Sequence, residues 1–148
     1  MKLAWILWLA SVLPQPAADP LCLATTIYLE ARDQSELGQR AVAEVALRRL
    51  DSGRWGDELC EVVTAPKQFA PTLTSPHYRL KNLDAWNDVL MITWQSLRQW
   101  SAPREGRPQV VPGADHFFAH KLVAKPAWAV GEPVALIGGH AFYRVQKL

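Results

Sequence analysis

Apolar side chains recur at helical spacing through the first two thirds of the chain. Between residues 21 and 31 they fall three and four positions apart, on one face of a predicted helix. A second helix is predicted over 36–51, with Asp33 or Ser35 as its N-cap and Gly53 at its end. Its predicted buried stripe consists of Leu37, Ala41, Val42, Val45 and Leu50. The charged residues that fall largely off this stripe are Arg40, Glu44 and Arg48.

The middle of the chain predicts a short helix and a long loop. Asp57 can cap a helix over 58–64. Residues 65–81 contain three prolines and show no period, so we expect a loop there, and long loops are often functional.

Another amphipathic helix is predicted from Asn82 or Asp84 to about Trp100, followed by a loop over 101–108. Its buried stripe is expected to contain Trp86, Val89, Leu90, Thr93, Leu97 and Trp100. Core packing is expected to account for most of the tryptophans at this spacing, which are Trp86, Trp94 and Trp100.

The last forty residues have a different pattern. The stretches "QVVPGADHFFA" and "VALIGGHAFYRV" are rich in β-branched and aromatic residues, with glycines between short runs. We expect two or three short strands here. The predicted class is therefore α+β, with helices first and a small β-sheet near the C-terminus.

The N-terminal segment resembles an export signal. An apolar run, Leu3–Leu13, is interrupted only by Ser11 and is too short to span a bilayer comfortably. Small residues and prolines follow it, so residues 1–19 are predicted to be a signal peptide cleaved near 17–19. An uncleaved N-terminal membrane segment and a core helix are the alternatives.

Composition and charge narrow the class of protein. A chain of 148 residues favours one domain, and a net charge of +2 is too small to indicate a nucleic-acid partner. The mildly basic balance is compatible with an anionic polymer such as cell wall. Cys22 and Cys60 form a disulfide if the protein is exported, or are two separate buried thiols.

Glu30 is the first candidate for chemistry. It ends an apolar helix, where a partly dry carboxyl has a raised pKa and can act as a general acid. The alternative is a solvated helix-end charge.

The pair His116 and His120 lies four apart in a predicted strand, too far apart to share a metal, so we expect no metal site and no cofactor.

Six short motifs occur in an order that resembles the SleB-like cell wall hydrolase family, which is named for the spore cortex-lytic enzyme. The motifs are "CLATTIYLEAR", "GQRAVAEVALRR", "CEVV" with "QF" shortly after, "GADHFFA", "PAW" and "IGGHAFYR". The resemblance runs from about Cys22 to Arg144, and it identifies 20–148 as the SleB-like domain.

This resemblance implies a lysozyme-like fold and a lytic transglycosylase that cuts peptidoglycan between N-acetylmuramic acid (MurNAc) and N-acetylglucosamine (GlcNAc). The glutamate of the family's "EAR" motif falls on Glu30, as catalytic acid. The family's exported members also support a disulfide between Cys22 and Cys60. A protein of this kind is expected to be a monomer that is exported to the periplasm or cell wall. We place around the glycan, as hydrogen-bonding and stacking residues, Phe69, His116, Phe117, Trp128, His140 and Tyr143.

The chain departs from the family pattern directly after Glu30. The usual E-A-R-G-E has become Glu30-Ala31-Arg32-Asp33-Gln34, so a second carboxylate is lost unless Asp33 or Glu36 replaces it. Arg32 is expected to pair with a carboxylate or to contact the peptide stem.

Three functions therefore remain open: the enzyme, a non-catalytic peptidoglycan-binding or lysis-accessory protein, and a zinc-dependent amidase that uses the histidines. The biological setting is also open, between wall remodelling by a bacterium and a phage endolysin.

Overall fold

The computed structural model describes residues 1–145, and its helices precede its strands. This order confirms the predicted α+β class. The helices are α1 Leu3–Val12, α2 Asp19–Ala31, α3 Glu36–Ser52, α4 Leu59–Thr64, α5 Ala70–Leu73 and α6 Leu83–Trp100. The strands are β1 His116–Phe118, β2 Ala135–Ile137 and β3 His140–Tyr143.

The three strands form an antiparallel sheet in the order β1-β3-β2. Phe117 of β1 lies opposite Phe142 of β3, and a turn at Gly138–Gly139 joins β2 to β3. Because side chains alternate along a strand, Phe117 and Phe142 share one face of the sheet, whereas Phe118 and Tyr143 share the other. The first face packs on the main core and the second on a small separate cluster.

Helix α2 is the centre of the helical layer, in contact with α1, α3, α4 and α6. Its two buried threonines satisfy their hydroxyl groups within the helix, since Thr25 donates to the Leu21 carbonyl and Thr26 to that of Cys22. A disulfide joins Cys22 to Cys60 of α4, which confirms the predicted pairing.

The ends of α3 follow its sequence signals. The Ser35 hydroxyl accepts a hydrogen bond from the Gly38 N–H, and Gly53 ends the helix in the left-handed conformation. The predicted stripe is wrong at two positions. Leu37, in the first turn, is 49% exposed, while Glu44 is only 5% exposed because its carboxylate bonds to a distant loop.

Two further predictions in the middle of the chain are corrected. Glu58, rather than Asp57, is the N-cap residue of α4, and its side chain makes no capping bond. The predicted loop over 65–81 contains a helical turn, α5, with a proline in its first turn, where proline needs no N–H. Core packing accounts for Trp86 and Trp100, which is most of the three tryptophans as predicted, whereas Trp94 is 57% exposed.

Helix α6 begins as predicted. The Asn82 side chain accepts a hydrogen bond from the Ala85 N–H and so caps the helix. Val89 and Thr93 of the predicted stripe are buried, and Trp86, Leu90, Leu97 and Trp100 pack partly buried against the core.

The N-terminal segment is folded against the rest of the chain. Leu3, Ile6 and Ala10 of α1 are buried, and Leu3 donates its N–H to the Tyr78 carbonyl. In residues 1–145, no helix is both long and apolar enough to cross a membrane. Cleavage of residues 1–19 stays a prediction.

Candidate active site

Glu30 lies in the last turn of α2 and is half-buried. Its Oε1 atom accepts a hydrogen bond from the Ala70 N–H at 2.6 Å. Ala70 is the first residue of α5, whose own N-cap, Phe69, makes no side-chain cap. The Glu30 carboxylate therefore satisfies an N–H group that helix geometry leaves without a partner.

The surroundings of Glu30 favour its protonated form. Burial raises the pKa of Glu30 to about 6, and the Ala70 hydrogen bond and the positive charge of Arg49 only partly oppose this. A carboxyl with such a pKa is populated in both protonation states near neutral pH, as a general acid and base requires.

Arg49 is a cation whose charge lowers the pKa of Glu30, and the sequence did not single it out. Its Nε donates to the Asp115 carbonyl at 2.8 Å, and its Nη1 donates to Gln68 Oε1 at 3.1 Å. Its guanidinium carbon lies 4.5 Å from the Trp55 ring centre and 4.8 Å from that of Phe69. Burial lowers the pKa of Arg49 to about 10, which leaves it cationic at neutral pH.

Phe69, Phe117 and His140 lie together on the side of the sheet that faces the helices. The Phe69 and Phe117 ring centres are 6.1 Å apart, and those of Phe117 and His140 are 5.3 Å apart. Phe69 is 0% exposed, so it offers no ring face to a sugar and lies beneath the surface. The partly exposed Phe117 is better placed to contact a ligand.

His116, Trp128 and Tyr143 lie together on the opposite face of the sheet. The His116 and Trp128 ring centres are 4.9 Å apart, and those of Trp128 and Tyr143 are 5.8 Å apart. The six predicted glycan-binding residues therefore form two groups rather than one. Tyr143 is buried, whereas His116 and Trp128 are partly exposed.

Asp115 orients His116. Its Oδ1 lies 3.0 Å from His116 Nδ1 and accepts the Val145 N–H at 2.8 Å. Burial lowers the pKa of His116, and the hydrogen bond to Asp115 partly offsets this. The sequence signal that could have indicated Asp115 is its position directly before a histidine.

Asp33 and Gln34 follow α2, and we call them the polar elbow. They connect the end of α2 to the β2–β3 turn. Gln34 Oε1 accepts the Gly139 N–H at 3.0 Å, and its Nε2 donates to Asp33 Oδ1 at 3.3 Å. Gly138 has a positive φ and lies so close to the Gln34 amide that a β-carbon would clash there. Burial lowers the pKa of the neighbouring His140, and Asp33 raises it. Within residues 1–145, His140 Nδ1 has no hydrogen-bond partner.

Two cavities flank this region, and neither is lined by Glu30. One, of about 450 Å³, contains Trp55 and Asp115 in its wall, and the other, of about 520 Å³, contains Tyr28 and Arg32.

Arg32 is two residues from Glu30 and so projects from another side of α2. Its guanidinium lies over the Tyr28 ring at 5.1 Å, and within residues 1–145 it pairs with no carboxylate. The predicted carboxylate partner for Arg32 is therefore wrong.

Among residues 1–145, no group of three or more His, Cys, Asp or Glu side chains is arranged to hold a metal ion.

The sequence model of the family described as Cell Wall Hydrolase matches residues 33–143, about three quarters of the chain. The match includes Gln34, Arg49 and all three strands, and it begins three residues after Glu30. No curated protein matches the chain. No solved structure matches it either.

Proposed function

Because this chain belongs to the cell wall hydrolase family, whose members act on peptidoglycan, we propose that it is a lytic transglycosylase. It cuts the MurNAc-GlcNAc bond, with Glu30 as general acid and base. The observation that carries this proposal is the half-buried Glu30 carboxyl, held by the Ala70 N–H and with a pKa near 6.

The reaction needs one carboxyl group used twice. Protonated Glu30 gives its proton to the glycosidic oxygen as the bond from that oxygen to C1 of MurNAc breaks. The Glu30 carboxylate then takes the proton of the MurNAc C6 hydroxyl as O6 bonds to C1. The products are a free GlcNAc hydroxyl and a 1,6-anhydro end, and Glu30 returns to its protonated state without consuming water.

A mechanism that uses only one carboxyl group is consistent with the sequence of the polar elbow. Glycosidases that use water or a covalent intermediate rely on a second carboxylate across the scissile bond. Gln34 stands where the family pattern has that second glutamate, and its amide is engaged by Gly139 and Asp33. The same substitution is what favours the rival proposal, a peptidoglycan-binding protein without catalysis.

We assign the glycan contacts according to exposure. Phe117, which packs against Phe69, and His116 with Trp128, on the other face of the sheet, are partly exposed. These three side chains are proposed to contact sugar rings. His140 and Tyr143 are buried and are proposed to hold these side chains in place. Phe69 is proposed to support Arg49 and the start of α5.

The family and the disulfide fit an exported protein, since disulfides persist in oxidising compartments. We propose that residues 1–19 direct this export and that the protein acts as a monomer in the periplasm or cell wall. No cofactor is proposed.

The pH dependence of cleavage follows from the Glu30 pKa of about 6. The first step requires protonated Glu30, so kcat/KM is expected to be lost as pH rises through 6, about tenfold per pH unit well above it. The rate at which soluble muropeptides are released, measured between pH 4.5 and 8.5, shows this loss of activity above pH 6. A rate that stays constant up to pH 8 would contradict the assignment of Glu30 as the acid.

Mass spectrometry of the fragments released from purified sacculi tests the reaction itself. Muropeptides lighter by one water than lysozyme products are expected. Hydrated reducing ends would instead indicate a hydrolase and a second carboxylate, with Asp33 and Glu36 as the first candidates. Peptides released without glycan cleavage, and lost with a chelator, would indicate the amidase. Binding to sacculi without any release would indicate the non-catalytic protein.

A further inference from the structure

The cavity of about 450 Å³ has no part in the proposed reaction, and arginines dominate its wall. We call it the arginine pocket. Two tryptophans, Trp55 and Trp100, also line it. Its arginines are Arg48, Arg54, Arg104, Arg107 and Arg144.

Two guanidinium groups of the arginine pocket lie over the ring of Trp100. Those of Arg107 and Arg48 lie 4.1 Å and 5.3 Å from the Trp100 ring centre. The Trp100 indole N–H donates to Asp51 Oδ2 at 3.0 Å, which fixes the ring. Stacked guanidinium groups are suited to planar recognition of carboxylates. Arg107 Nε is buried and has no hydrogen-bond partner within residues 1–145.

The pocket carries an excess of positive charge. Five arginines line it against two aspartates, whereas the whole chain has a net charge of only +2. Asp51 is shared by Arg107 at 3.1 Å and Arg104 at 4.0 Å. Asp115 is already bonded to His116 and Val145. The chemistry of the lining therefore favours an anion with more than one charged group.

Arg49 connects the pocket to Glu30. Its guanidinium contacts Trp55 of the pocket wall on one side and Phe69 on the other. Phe69 directly precedes Ala70, whose N–H binds the Glu30 carboxylate. The pocket wall and the Glu30 carboxylate are therefore connected through the packed side chains of Arg49 and Phe69.

We propose that the arginine pocket binds the carboxylates of the peptidoglycan peptide stem, an inference that rests on the proposed function. The stem is attached to the same MurNAc that Glu30 would cleave, and it carries several carboxylates. A cavity of this volume is within the usual range for small ligands. The pocket then selects strands that still carry peptide, and Glu30 performs the cut.

Binding of a free stem peptide tests the pocket without any need for catalysis. The probe is L-Ala-γ-D-Glu-meso-diaminopimelyl-D-Ala, titrated into the full chain by calorimetry. The double variant Arg104→Gln/Arg144→Gln is chosen because both residues are exposed, with 76% of the Arg104 side chain accessible, so the fold should tolerate it. Its dissociation constant is expected to rise at least about tenfold.

The matched control removes the same charge elsewhere. Arg98→Gln/Lys121→Gln alters two exposed residues outside the pocket and is expected to bind the peptide as the parent does. Equal weakening in both double variants would mean a general charge effect and would overturn the proposal. So would tighter binding of a polyphosphate polymer than of the stem peptide, or no binding of the peptide by the parent.

Cleavage assays then separate this proposal from the proposed function. The parent is expected to have a higher kcat/KM for intact strands than for strands stripped of peptide by an amidase. In Arg104→Gln/Arg144→Gln the ratio of the two values is expected to fall at least about tenfold, mainly through KM for intact strands. If neither substrate is cut while the peptide binds, the proposed function fails and the pocket stands. If both are cut equally well by the parent, the pocket proposal fails.

Discussion

Glu30→Gln is expected to lower kcat/KM for sacculus cleavage by roughly 1,000-fold, the usual scale of a general acid and base. The glutamine side chain keeps an oxygen that can accept the Ala70 N–H, which the carboxylate accepts at 2.6 Å in the parent. It can neither donate a proton to the leaving oxygen nor remove one from the C6 hydroxyl. The change therefore removes the chemistry and leaves the local geometry.

The same change is expected to leave the fold intact or to stabilise it. Because burial raises the pKa of Glu30 from 4.5 to about 6, the stability contributed by the protonated group is lost as pH rises through 6. The difference is on the order of 2 kcal/mol above pH 7. A neutral glutamine avoids this cost, so the Tm of Glu30→Gln at pH 8 should equal or exceed that of the parent.

Release of soluble muropeptides and thermal unfolding, measured on one preparation, check both halves of this prediction. Glu132→Gln, at an exposed loop position, is the matched control and should keep the activity of the parent. A Glu30→Gln protein that is folded and still clears sacculi at a tenth of the parental rate or more would remove Glu30 from the mechanism.

Local sequence signals predicted the framework of this fold because their partners are close in the chain. Ser35 and Asn82 cap helices through N–H groups three residues on, and Gly53 ends a helix through its own left-handed conformation. Glu44 was misjudged because its two partners lie 66 and 67 residues away. A helical stripe cannot show that a loop will cover a charged position.

The candidate site was predicted less well, for two separate reasons. The split between Phe117 and His116 could have been predicted, since neighbours in a strand point to opposite faces. The capping of α5 by Glu30 could not, because it depends on how α5 docks against α2. Arg49 gave no signal of its own either: its partners, Gln68 and the Asp115 carbonyl, are brought to it only by the tertiary fold.

Removal of the Glu44 carboxylate is expected to cause the largest loss of stability among the substitutions considered. In the parent this carboxylate accepts the N–H groups of Val110 and Val111 at 2.6 Å and 2.9 Å, and Arg48 lies 3.6 Å away. Glu44→Ala leaves these N–H groups without an acceptor. Each unsatisfied buried group costs about 1–3 kcal/mol, so the free energy of unfolding is expected to fall by roughly 3 kcal/mol.

A loss of this size corresponds to a fall in Tm of about 6–12 °C for a chain of this length. Urea unfolding at 25 °C measures the free energy directly. Glu36→Ala is the matched control, with the same residue types on the same helix, and as an exposed first-turn change it should cost less than about 1 kcal/mol. Glu44→Gln should fall between the two, because its amide oxygen can still accept a hydrogen bond. A loss below 1 kcal/mol in Glu44→Ala would mean that water replaces the carboxylate, and that the loop leading to β1 is held in place by other contacts.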